Sequence, residues 1–556
     1  MKTLDQSYYC GASTTQIIYE TIGVYFDRIC DQYPDKDALI VRHQGVRWTY
    51  RQLQEQVDQL AGGFLALGVA PGDRVGIWGP NSYEWVMVQL ATAKIGAIMV
   101  CINPAYRLYE LEFALNKVEC KVVVTAEKFK TSDYLGMLNT LAPELADSKP
   151  GALQAQKLPY LRTVIRMGTA ETAGMLNFET VCGLGGEKDG DQLRALRGQL
   201  KPDDAINIQF TSGTTGNPKG ATLTHCNILN NGYLAGEAMQ LTETDRLCIP
   251  VPLYHCFGMV LAVLACVSHG SAMVFPGEAF DPLETLQTVE AEGCTALHGV
   301  PTMFITELDH PRFGEFDLSS LRTGIMAGAP CPVEIMKRVI SEMHMEDILI
   351  GYGQTEVSPL NHMTLPNDSL ERRTETVGRA VPWVEIKVID QSNRVVAIGE
   401  KGEICTRGYS VMREYWNDPE RTAETIDEAG WLHSGDLATM DEEGYVRIVG
   451  RIKDMIIRGG ENIYPSEIEA CLTTLPLCLD AAVVGRPDPK WGEEVAAVVQ
   501  VPPGTEANSQ LVIEHCQQQL AAFKVPVQVI FTEKPLPRNA LRKLLKNKII
   551  AEYYPQ

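Results

Sequence analysis

This chain is constrained most by one short stretch, Thr211-Ser212-Gly213-Thr214-Thr215-Gly216-Asn217-Pro218-Lys219-Gly220. Alternating apolar residues from Ile206 to Phe210 predict a half-buried strand before it, and Ala221 to Met239, with Thr222 and Thr224 as caps, predicts a helix after it. Glycines let backbone N–H groups approach an anion, and hydroxyls and a lysine donate to phosphate oxygens. The stretch therefore predicts a loop that holds a polyphosphate. It is not a Walker A loop, because Gly220 stands where that loop has the Ser or Thr that binds magnesium.

A second stretch, Gly351-Tyr352-Gly353-Gln354-Thr355-Glu356, has the chemistry of a nucleotide site. It follows the apolar strand pattern of Ile348 to Ile350, and ligand loops of α/β sheets lie at such strand ends. Tyr352 offers a flat aromatic face for adenine, and Thr355 can donate to an α-phosphate. Glu356 offers the hard oxygen atoms that Mg²⁺ prefers. The two stretches together predict binding of a nucleotide with Mg²⁺.

Length, charge and cysteine usage limit the remaining classes of protein. The 556 residues exceed what one hydrophobic core usually supports, so at least two domains are predicted. A formal net charge of −21 argues against a nucleic-acid partner and against charge-driven docking on anionic lipid. The 15 cysteines include no C-x-x-C pair, which favours reduced thiols in a cytoplasmic protein over disulfides or zinc. Met1 to Gly11 lacks the pattern of a secretory signal, and the apolar run Met259 to Val267 is too short for an integral membrane segment.

The order of predicted elements indicates an α/β fold made of two bodies. Residues 12 to 125 alternate between helix and strand patterns, and a second α/β unit runs from the phosphate loop to about residue 376. Short strands between Val384 and Arg407 predict a small β-rich module. We place the boundary at the turn before Lys453. Residues 1–452 then form a large N-terminal domain, and residues 453–556 form a smaller α+β domain.

These stretches and two later ones make the chain resemble the adenylate-forming superfamily, which includes acyl-CoA synthetases, firefly-type luciferases and peptide-synthetase adenylation domains. The later stretches are Trp431-Leu432-His433-Ser434-Gly435-Asp436 and Pro535-Leu536-Pro537-Arg538-Asn539-Ala540-Leu541-Arg542-Lys543. The resemblance covers roughly residues 15 to 550, with the motifs in family order. The chain is most similar to medium-chain fatty-acid-CoA ligases at Phe210 to Gly216, Pro218 to His225 and Leu253 to Cys256. Amino-acid-activating relatives have an Asp near Tyr254-His255, and this chain has none there.

What the resemblance implies is an ATP-dependent acyl-CoA ligase. A carboxylic acid reacts with ATP to give an acyl-adenylate and pyrophosphate, and coenzyme A then displaces AMP to form the thioester. The small C-terminal domain becomes a mobile lid that turns about Lys453 and carries the catalytic Lys543. The lid motif departs from the family at Asn539, Leu541 and Arg542, where Thr, a small residue and Gly are usual.

The resemblance also implies a role for each site residue. The residues expected to bind the nucleotide are Thr211, Ser212, Gly213, Thr214, Thr215, Gly216, Asn217, Pro218, Lys219, Gly328, Ala329, Pro330, Gly351, Tyr352, Gly353, Gln354, Thr355, Asp436, Arg451 and Lys543. The residues expected to line the acyl site are His255, Phe257, Gly258, Val300 and Pro301. The catalytic group is expected to comprise Thr211, Lys219, His255, Glu356 and Lys543, with Glu356 as the metal ligand.

Three alternatives stay open at this point. The chain could be an acyl-AMP ligase that loads a carrier protein, an oxygenase of the luciferase kind, or a nucleotide-binding homologue that has lost catalysis. The last alternative rests only on Arg542 and its neighbours. Acyl chain length, aromatic against aliphatic acids and oligomeric state are left open, with a homodimer as one hypothesis.

Overall fold

The structure is a computed structural model that describes residues 4–211, 218–329, 331–458, 461–488, 490–520, 522–538 and 544–555. Its strands are β1 Tyr8–Cys10, β2 Asp37–Val41, β3 Val46–Thr49, β4 Arg74–Trp78, β5 Ile98–Cys101, β6 Val122–Thr125, β7 Lys128–Phe129, β8 Ser132–Asp133, β9 Thr163–Arg166, β10 Leu176–Asn177, β11 Ala205–Thr211, β12 Lys219–Thr224, β13 Arg246–Cys248, β14 Ala272–Phe275, β15 Ala296–Leu297, β16 Thr323–Ala327, β17 Asp347–Gly353, β18 Leu360–Met363, β19 Arg379–Ala380, β20 Val384–Ile389, β21 Gly402–Gly408, β22 Glu414–Tyr415, β23 Leu432–Met440, β24 Val446–Arg451, β25 Ile456–Arg458, β26 Glu461–Ile463, β27 Asp480–Asp488, β28 Gly492–Gln500 and β29 Gln528–Thr532.

The α-helices are α1 Ile22–Gln32, α2 Tyr50–Ala66, α3 Tyr83–Ile95, α4 Leu108–Lys117, α5 Tyr134–Leu141, α6 Phe178–Cys182, α7 Glu187–Leu196, α8 His225–Ala238, α9 Cys256–Gly258, α10 Ala265–His269, α11 Pro282–Glu292, α12 Pro301–Leu308, α13 Val333–Glu342, α14 Leu370–Glu375, α15 Pro419–Thr425, α16 Pro465–Thr473, α17 Ser509–Gln519 and α18 Lys546–Tyr553. Residues Met259–Leu264 form a π-helical segment between α9 and α10. Short 3₁₀ turns occur at Arg42–Gln44, Pro143–Ala146, Phe313–Glu315, Thr355–Val357, Ile452–Asp454 and Ala522–Lys524.

Two large mixed sheets dominate the chain. An eight-stranded sheet has the order β10-β9-β6-β4-β5-β11-β12-β22, and a nine-stranded sheet has the order β19-β18-β17-β16-β15-β13-β14-β2-β3. Most pairs in both sheets are parallel. Antiparallel strands are added at both edges of the nine-stranded sheet and at the β22 edge of the eight-stranded sheet. The α/β fold class predicted from the sequence is confirmed.

The chain separates into two compact units. The larger comprises Cys10–Glu385 and Thr406–Leu432, and the smaller comprises Met1–Tyr9, Ile386–Cys405 and His433–Gln556. The smaller unit holds the five-stranded sheet β26-β25-β28-β27 with β29 added on β28, and most residues of the sheet β1-β20-β21-β23-β24. These units group residues 433–452 with the C-terminal segment, whereas the sequence analysis placed them in the N-terminal domain. The functional boundary at 452/453 stays a prediction.

Long apolar runs are buried inside the larger unit. Ser82 caps α3, where its side chain accepts the N–H of Trp85, and every α3 residue after Tyr83 is buried. The apolar run predicted not to cross a membrane forms the π-helical segment and part of α10, and all its residues are buried. Among the described residues, no helix has both the length and the apolar character needed to cross a membrane.

One helix begins later than predicted. The expected helix Ala221 to Met239 is wrong in its first residues, because Lys219–Thr224 forms β12 and the helix α8 runs over His225–Ala238. β12 pairs antiparallel with β11, with Thr211 opposite Lys219, and its β-branched threonines suit a strand. Thr224 does cap the helix, since its hydroxyl accepts the N–H of Asn227, whereas Thr222 lies inside the strand.

Candidate functional site

The predicted phosphate loop joins two paired strands. Thr211 ends β11 and Lys219 begins β12, and the two residues are direct partners in the antiparallel ladder. Pro218 precedes β12. Ser212, Gly213, Thr214, Thr215, Gly216 and Asn217 lie outside the described residues. The two ends that the structure describes therefore place one hydroxyl and one ammonium group side by side at the base of the loop.

Glu356 is held in place by hydroxyl groups from the other sheet. Its Oε1 accepts a hydrogen bond from Thr211 Oγ1 at 3.2 Å and another from the Tyr415 hydroxyl at 2.8 Å. Burial, together with the charge and hydrogen bond of Glu356, raises the pKa of Tyr415, so its hydroxyl keeps the proton that it donates. Lys219 Nζ lies 4.8 Å from the centroid of the Tyr415 ring. Carboxylate, hydroxyl and ammonium groups thus meet where β11 of one sheet approaches the end of β17 of the other.

Tyr415 is a site residue that the sequence analysis missed. It lies in β22, which pairs with β12 so that Tyr415 stands opposite Ala221. Nothing in its local sequence marks it, because its role depends on a pairing between segments far apart in the chain. The burial of its ring beside Lys219 and its bond to Glu356 make it the bridge between the two predicted motifs.

Three predicted ligand segments lie at the carboxyl ends of neighbouring parallel strands. Gly299 pairs with Met326 just after β15, and Ala327 of β16 pairs with Gly351 of β17. Val300 with Pro301 and Gly328 with Ala329 follow the first two strands, and the stretch Gly351 to Glu356 spans the end of β17 and the turn after it. This edge is where open α/β sheets bind ligands. Pro330 lies outside the described residues.

Close packing at this edge depends on glycine. A Cβ atom on Gly353 would lie 1.9 Å from the carbonyl oxygen of Pro359, so no other residue fits there without moving the backbone. Gly328 has a φ of +89°, and a Cβ atom there would lie 3.3 Å from Cγ1 of Val300. A side chain at Gly328 of the predicted adenine loop would therefore crowd Val300 of the predicted acyl wall.

Tyr352 is the partly exposed aromatic residue of this edge. Its ring centroid lies 5.8 Å from that of His362, and the two planes are inclined by 60°. Burial lowers the pKa of His362 to about 3, so its imidazole is neutral at physiological pH. Gln354 is partly exposed and Thr355 is buried, which places the Thr355 side chain inside the site wall.

Three of the predicted acyl-site residues, His255, Phe257 and Gly258, lie at the start of the buried helical segment. His255 is partly exposed, and its Nδ1 accepts the N–H of Phe257 at 3.1 Å, so the imidazole caps α9. Phe257 and Gly258 are buried, and the Phe257 ring centroid lies 5.2 Å from that of His298. Behind them the π-helical segment Met259–Leu264 presents only apolar side chains.

His298 supports this wall from behind, and the sequence analysis did not identify it. Its Nε2 donates to the carbonyl of Leu261 at 3.0 Å, and its Nδ1 accepts the N–H of Ile325 at 3.1 Å. Burial lowers the pKa of His298 to about 4, which agrees with a neutral ring that donates once and accepts once. The imidazole thereby joins the π-helical segment to β16.

A chain of polar and sulfur contacts links the phosphate strand to the acyl helix. The Cys256 thiol donates to Gln209 Oε1 at 3.0 Å, and Gln209 Nε2 donates to Met259 Sδ at 2.8 Å. Burial raises the pKa of Cys256, and Thr355 hydrogen-bonds the same thiol. Cys256 therefore stays a neutral thiol that contacts β11, the acyl helix and the nucleotide loop together.

The remaining predicted residues lie in the smaller unit. Asp436 and Arg451 are cross-strand partners in β23 and β24, and Arg451 Nε lies 3.1 Å from Asp436 Oδ1. Asp436 is buried, and its N–H is bonded to Ser434 Oγ at 3.0 Å. Lys453 is exposed in the turn Ile452–Asp454, which suits a hinge. Lys543 lies outside the described residues.

Comparisons with known proteins agree with this geometry. A family model described as AMP-binding enzyme matches residues 26–416, and a model described as AMP-binding enzyme C-terminal domain matches residues 467–543. A Bacillus subtilis (strain 168) protein named as a candidate acyl-CoA synthetase, YngI, is 47% identical over 96% of this chain and 97% of its own length. The Danio rerio mitochondrial medium-chain acyl-CoA ligase ACSF2 is 43% identical over 98% of this chain and 90% of its own length. The solved structure of a Mycobacterium tuberculosis fatty acyl CoA synthetase matches with a TM-score of 0.71 and 29% identity, over 96% of this chain and 98% of the other.

Proposed function

The chain belongs to the AMP-binding enzyme family and is an ATP-dependent acyl-CoA ligase, and on that premise we propose that its acid substrate is a medium-chain fatty acid. The observation that carries the proposal is the buried apolar segment Met259–Leu264 directly behind His255. A wall of Met, Val, Leu and Ala suits an alkyl chain and offers nothing to pair with a second charge on the substrate. The printed name of the Danio rerio relative gives the same substrate class for that protein.

The first reaction step joins the acid to AMP. The carboxylate oxygen attacks the α-phosphorus of ATP, the bond to the β-phosphate breaks, and pyrophosphate leaves. Lys219 and the loop before it would hold the phosphates, and Tyr352 would pack against adenine. Thr355 would orient the α-phosphate, and Lys543 would stabilise the charge that develops there. His255 stands at the mouth of the acyl site, where the carboxylate must lie.

Magnesium fits the same site. Glu356 is a carboxylate already oriented by Thr211 and Tyr415, and carboxylate with phosphate oxygens is the usual ligand set of Mg²⁺ in nucleotide enzymes. When bound, the ion would neutralise charge on the phosphates. Thr211 and Tyr415 would keep the Glu356 carboxylate directed towards it.

The second step transfers the acyl group to the thiol of coenzyme A. The sulfur attacks the acyl carbon, AMP leaves, and the thiol proton is released to solvent. A coenzyme A contact is suggested by Trp491, which is 44% exposed, with Arg458 Cζ at 5.9 Å and Lys490 Nζ at 4.6 Å from its ring centroid. An open indole flanked by two cations suits a purine and its phosphates.

The proposal is tested by measuring AMP release and thioester formation with straight-chain acids from acetate to palmitate, and with benzoate. A maximum at medium chain length is expected, and Lys543→Ala should abolish the adenylation half-reaction. A maximum with benzoate or acetate would contradict the proposed substrate while leaving the ligase intact. Pyrophosphate release without thioester would instead favour a carrier-protein ligase or an oxygenase, and ATP binding without any turnover would favour a homologue that has lost catalysis.

A cytoplasmic location, a homodimer and movement of residues 453–556 about Lys453 belong to the same proposal. They rest on the cysteine usage and on the resemblance. Each is open to direct measurement, by fractionation, by sedimentation and by trapping the lid with a crosslink.

A further inference from the structure

Three side chains that can bind a metal ion meet in the smaller unit, and none of them is assigned to the proposed ligase reaction. Glu403 and Cys405 lie two residues apart on β21, so their side chains point to the same face of the sheet. His433 lies on β23, the neighbouring strand in that sheet. One ligand atom from each of the three residues lies within 4.8 Å of the other two.

The distances suit a tetrahedral ion. His433 Nδ1 lies 3.0 Å from Glu403 Oε2 and 3.7 Å from Cys405 Sγ. Zinc binds nitrogen and oxygen at about 2.0 Å and sulfur at about 2.3 Å. With tetrahedral angles at the ion, the ligand nitrogen and oxygen atoms lie about 3.3 Å apart, and the nitrogen and sulfur atoms lie about 3.5 Å apart. The observed separations differ from these by only a few tenths of an ångström. A bound ion would therefore need little movement of the backbone.

The surroundings suit a metal site as well. The second carboxylate oxygen of Glu403 accepts the N–H of Gly435 at 2.9 Å, and this hydrogen bond fixes the orientation of the carboxylate, as hydrogen bonds to ligand side chains do in metal centres. Cys405 is fully buried, whereas the side chains of Glu403 and His433 are 19% and 23% exposed. Solvent can thus reach a bound ion from the side of Glu403 and His433, and the buried Cys405 shields it on the other side.

We propose that Glu403, Cys405 and His433 form a Zn²⁺ site, with water as the fourth ligand. A thiolate and an imidazole select a borderline-soft ion over Mg²⁺ or Ca²⁺, which prefer oxygen. The thiolate and the carboxylate together balance the charge of the ion. Binding replaces the hydrogen bond between His433 and Glu403 and releases the Cys405 proton. No local motif marks this site, because His433 lies 28 residues after Cys405 in the chain.

The site also has a structural link to a predicted nucleotide residue. His433 begins the segment that continues through Ser434 and Gly435 to Asp436. Glu403 bonds the Gly435 N–H, and Ser434 Oγ bonds the Asp436 N–H. An ion bound to Glu403 and His433 would therefore hold both sides of the turn before Asp436.

The test uses the full-length protein, freed of metal by a chelator and titrated with Co²⁺ and then with Zn²⁺. One equivalent of Co²⁺ should produce the charge-transfer absorption of a cobalt–thiolate bond and the visible bands of a tetrahedral ion. Zn²⁺ should abolish both, and excess Mg²⁺ should not. Cys405→Ser should remove the thiolate band, and His433→Asn should weaken Zn²⁺ binding by more than about tenfold.

The matched control is Cys10→Ser, which removes an exposed thiol outside the site and should leave the spectrum unchanged. Circular dichroism without metal shows whether each variant folds. If Cys405→Ser does not fold, His433→Asn, which changes a partly exposed residue, still tests the proposal. The proposal is overturned if wild type gives no thiolate band, if the band survives in Cys405→Ser, or if Zn²⁺ binds His433→Asn as tightly as wild type.

Discussion

Glu307 is a buried acid whose protonation should control the stability of the larger unit. Its side chain lies in α12 with 1% exposure, and neither carboxylate oxygen has a hydrogen-bond partner among the described residues. Burial raises the pKa of Glu307 well above the ordinary value of 4.5. Because α12 begins at Pro301, beside Val300 of the predicted acyl wall, this helix borders the predicted acyl site.

The magnitude follows from proton linkage. Below pH 4.5 the carboxyl is protonated in both the folded and the unfolded chain, so it adds no pH dependence. Above that pH the unfolded chain loses the proton while the folded chain keeps it, and the free energy of unfolding falls by about 1.4 kcal/mol per pH unit until the raised pKa is reached. The total loss therefore grows with the difference between the folded-state pKa and 4.5, and it measures how far burial raises that pKa.

The perturbation is Glu307→Gln, which keeps the shape of the side chain and cannot ionise. Urea unfolding of the larger unit is measured at pH 5, 6, 7 and 8. The free energy of unfolding of the variant should rise relative to that of wild type, by up to about 1.4 kcal/mol for each increase of one pH unit. Glu307→Leu should add stability at every pH, because it also removes a polar group buried without a partner, a burden of about 1–3 kcal/mol. The infrared band of a protonated carboxyl should persist in wild type above pH 4.5, where an exposed glutamate ionises, and be absent from Glu307→Gln.

The matched control is Glu55→Gln, an exposed helical glutamate of the same unit. The difference in free energy of unfolding between Glu55→Gln and wild type should be the same at each of these pH values. The reasoning is refuted if Glu307→Gln runs parallel to wild type from pH 5 to pH 8, or if the infrared band is the same in both proteins.

Three further predictions concern the candidate active site. Glu356→Gln should slow pyrophosphate exchange and raise the Mg²⁺ concentration that the exchange requires. Tyr415→Phe removes only one of the two hydrogen bonds to the Glu356 carboxylate and should lower the Mg²⁺ affinity about 10–100-fold. Equal Mg²⁺ affinities for Tyr415→Phe and wild type would exclude a role for Tyr415 in orienting Glu356. Cys256→Ala should lower the free energy of unfolding by about 1–3 kcal/mol, because the Gln209 side-chain oxygen loses its hydrogen-bond donor. Cys256→Ser should restore most of this free energy, whereas equal losses in both variants would mean that only the side-chain volume matters. Trp491→Ala should raise the KM for coenzyme A about tenfold without changing pyrophosphate exchange. A change in the exchange rate would instead assign Trp491 to the adenylation step.

The nucleotide motifs could be predicted because their chemistry is local. Glycines, hydroxyls and a lysine between Thr211 and Lys219, and an aromatic residue with a carboxylate between Tyr352 and Glu356, carry their meaning in residue type and spacing. The structure places the described members of both motifs together, with Thr211 Oγ1 bonded to Glu356. Tyr415 and His298 could not be predicted, because each acts through partners at least 27 residues away.

The start of α8 was mispredicted for a related reason. Residues 219–224 have no strong period, and Thr222 and Thr224 are equally good as caps and as strand residues. The antiparallel partner β11 decides between these roles, since pairing Thr211 with Lys219 extends the ladder through Thr224. Tertiary pairing outweighs a local preference of this size.

By itself the sequence determined the family, the α/β class and the identity of the groups that bind phosphate, because these depend on residue types in a fixed order. Only the tertiary structure decided which strands share a sheet. β2 and β3 near the N-terminus join β14 in the nine-stranded sheet, whereas β11, some 160 residues later, pairs with β5 in the other sheet. An alternating or apolar pattern shows that a segment is a strand but does not name its partner, since any strand with a matching face and register can pair with it. Packing of the whole chain made that choice, and with it placed Glu356 of one sheet against Thr211 and Tyr415 of the other.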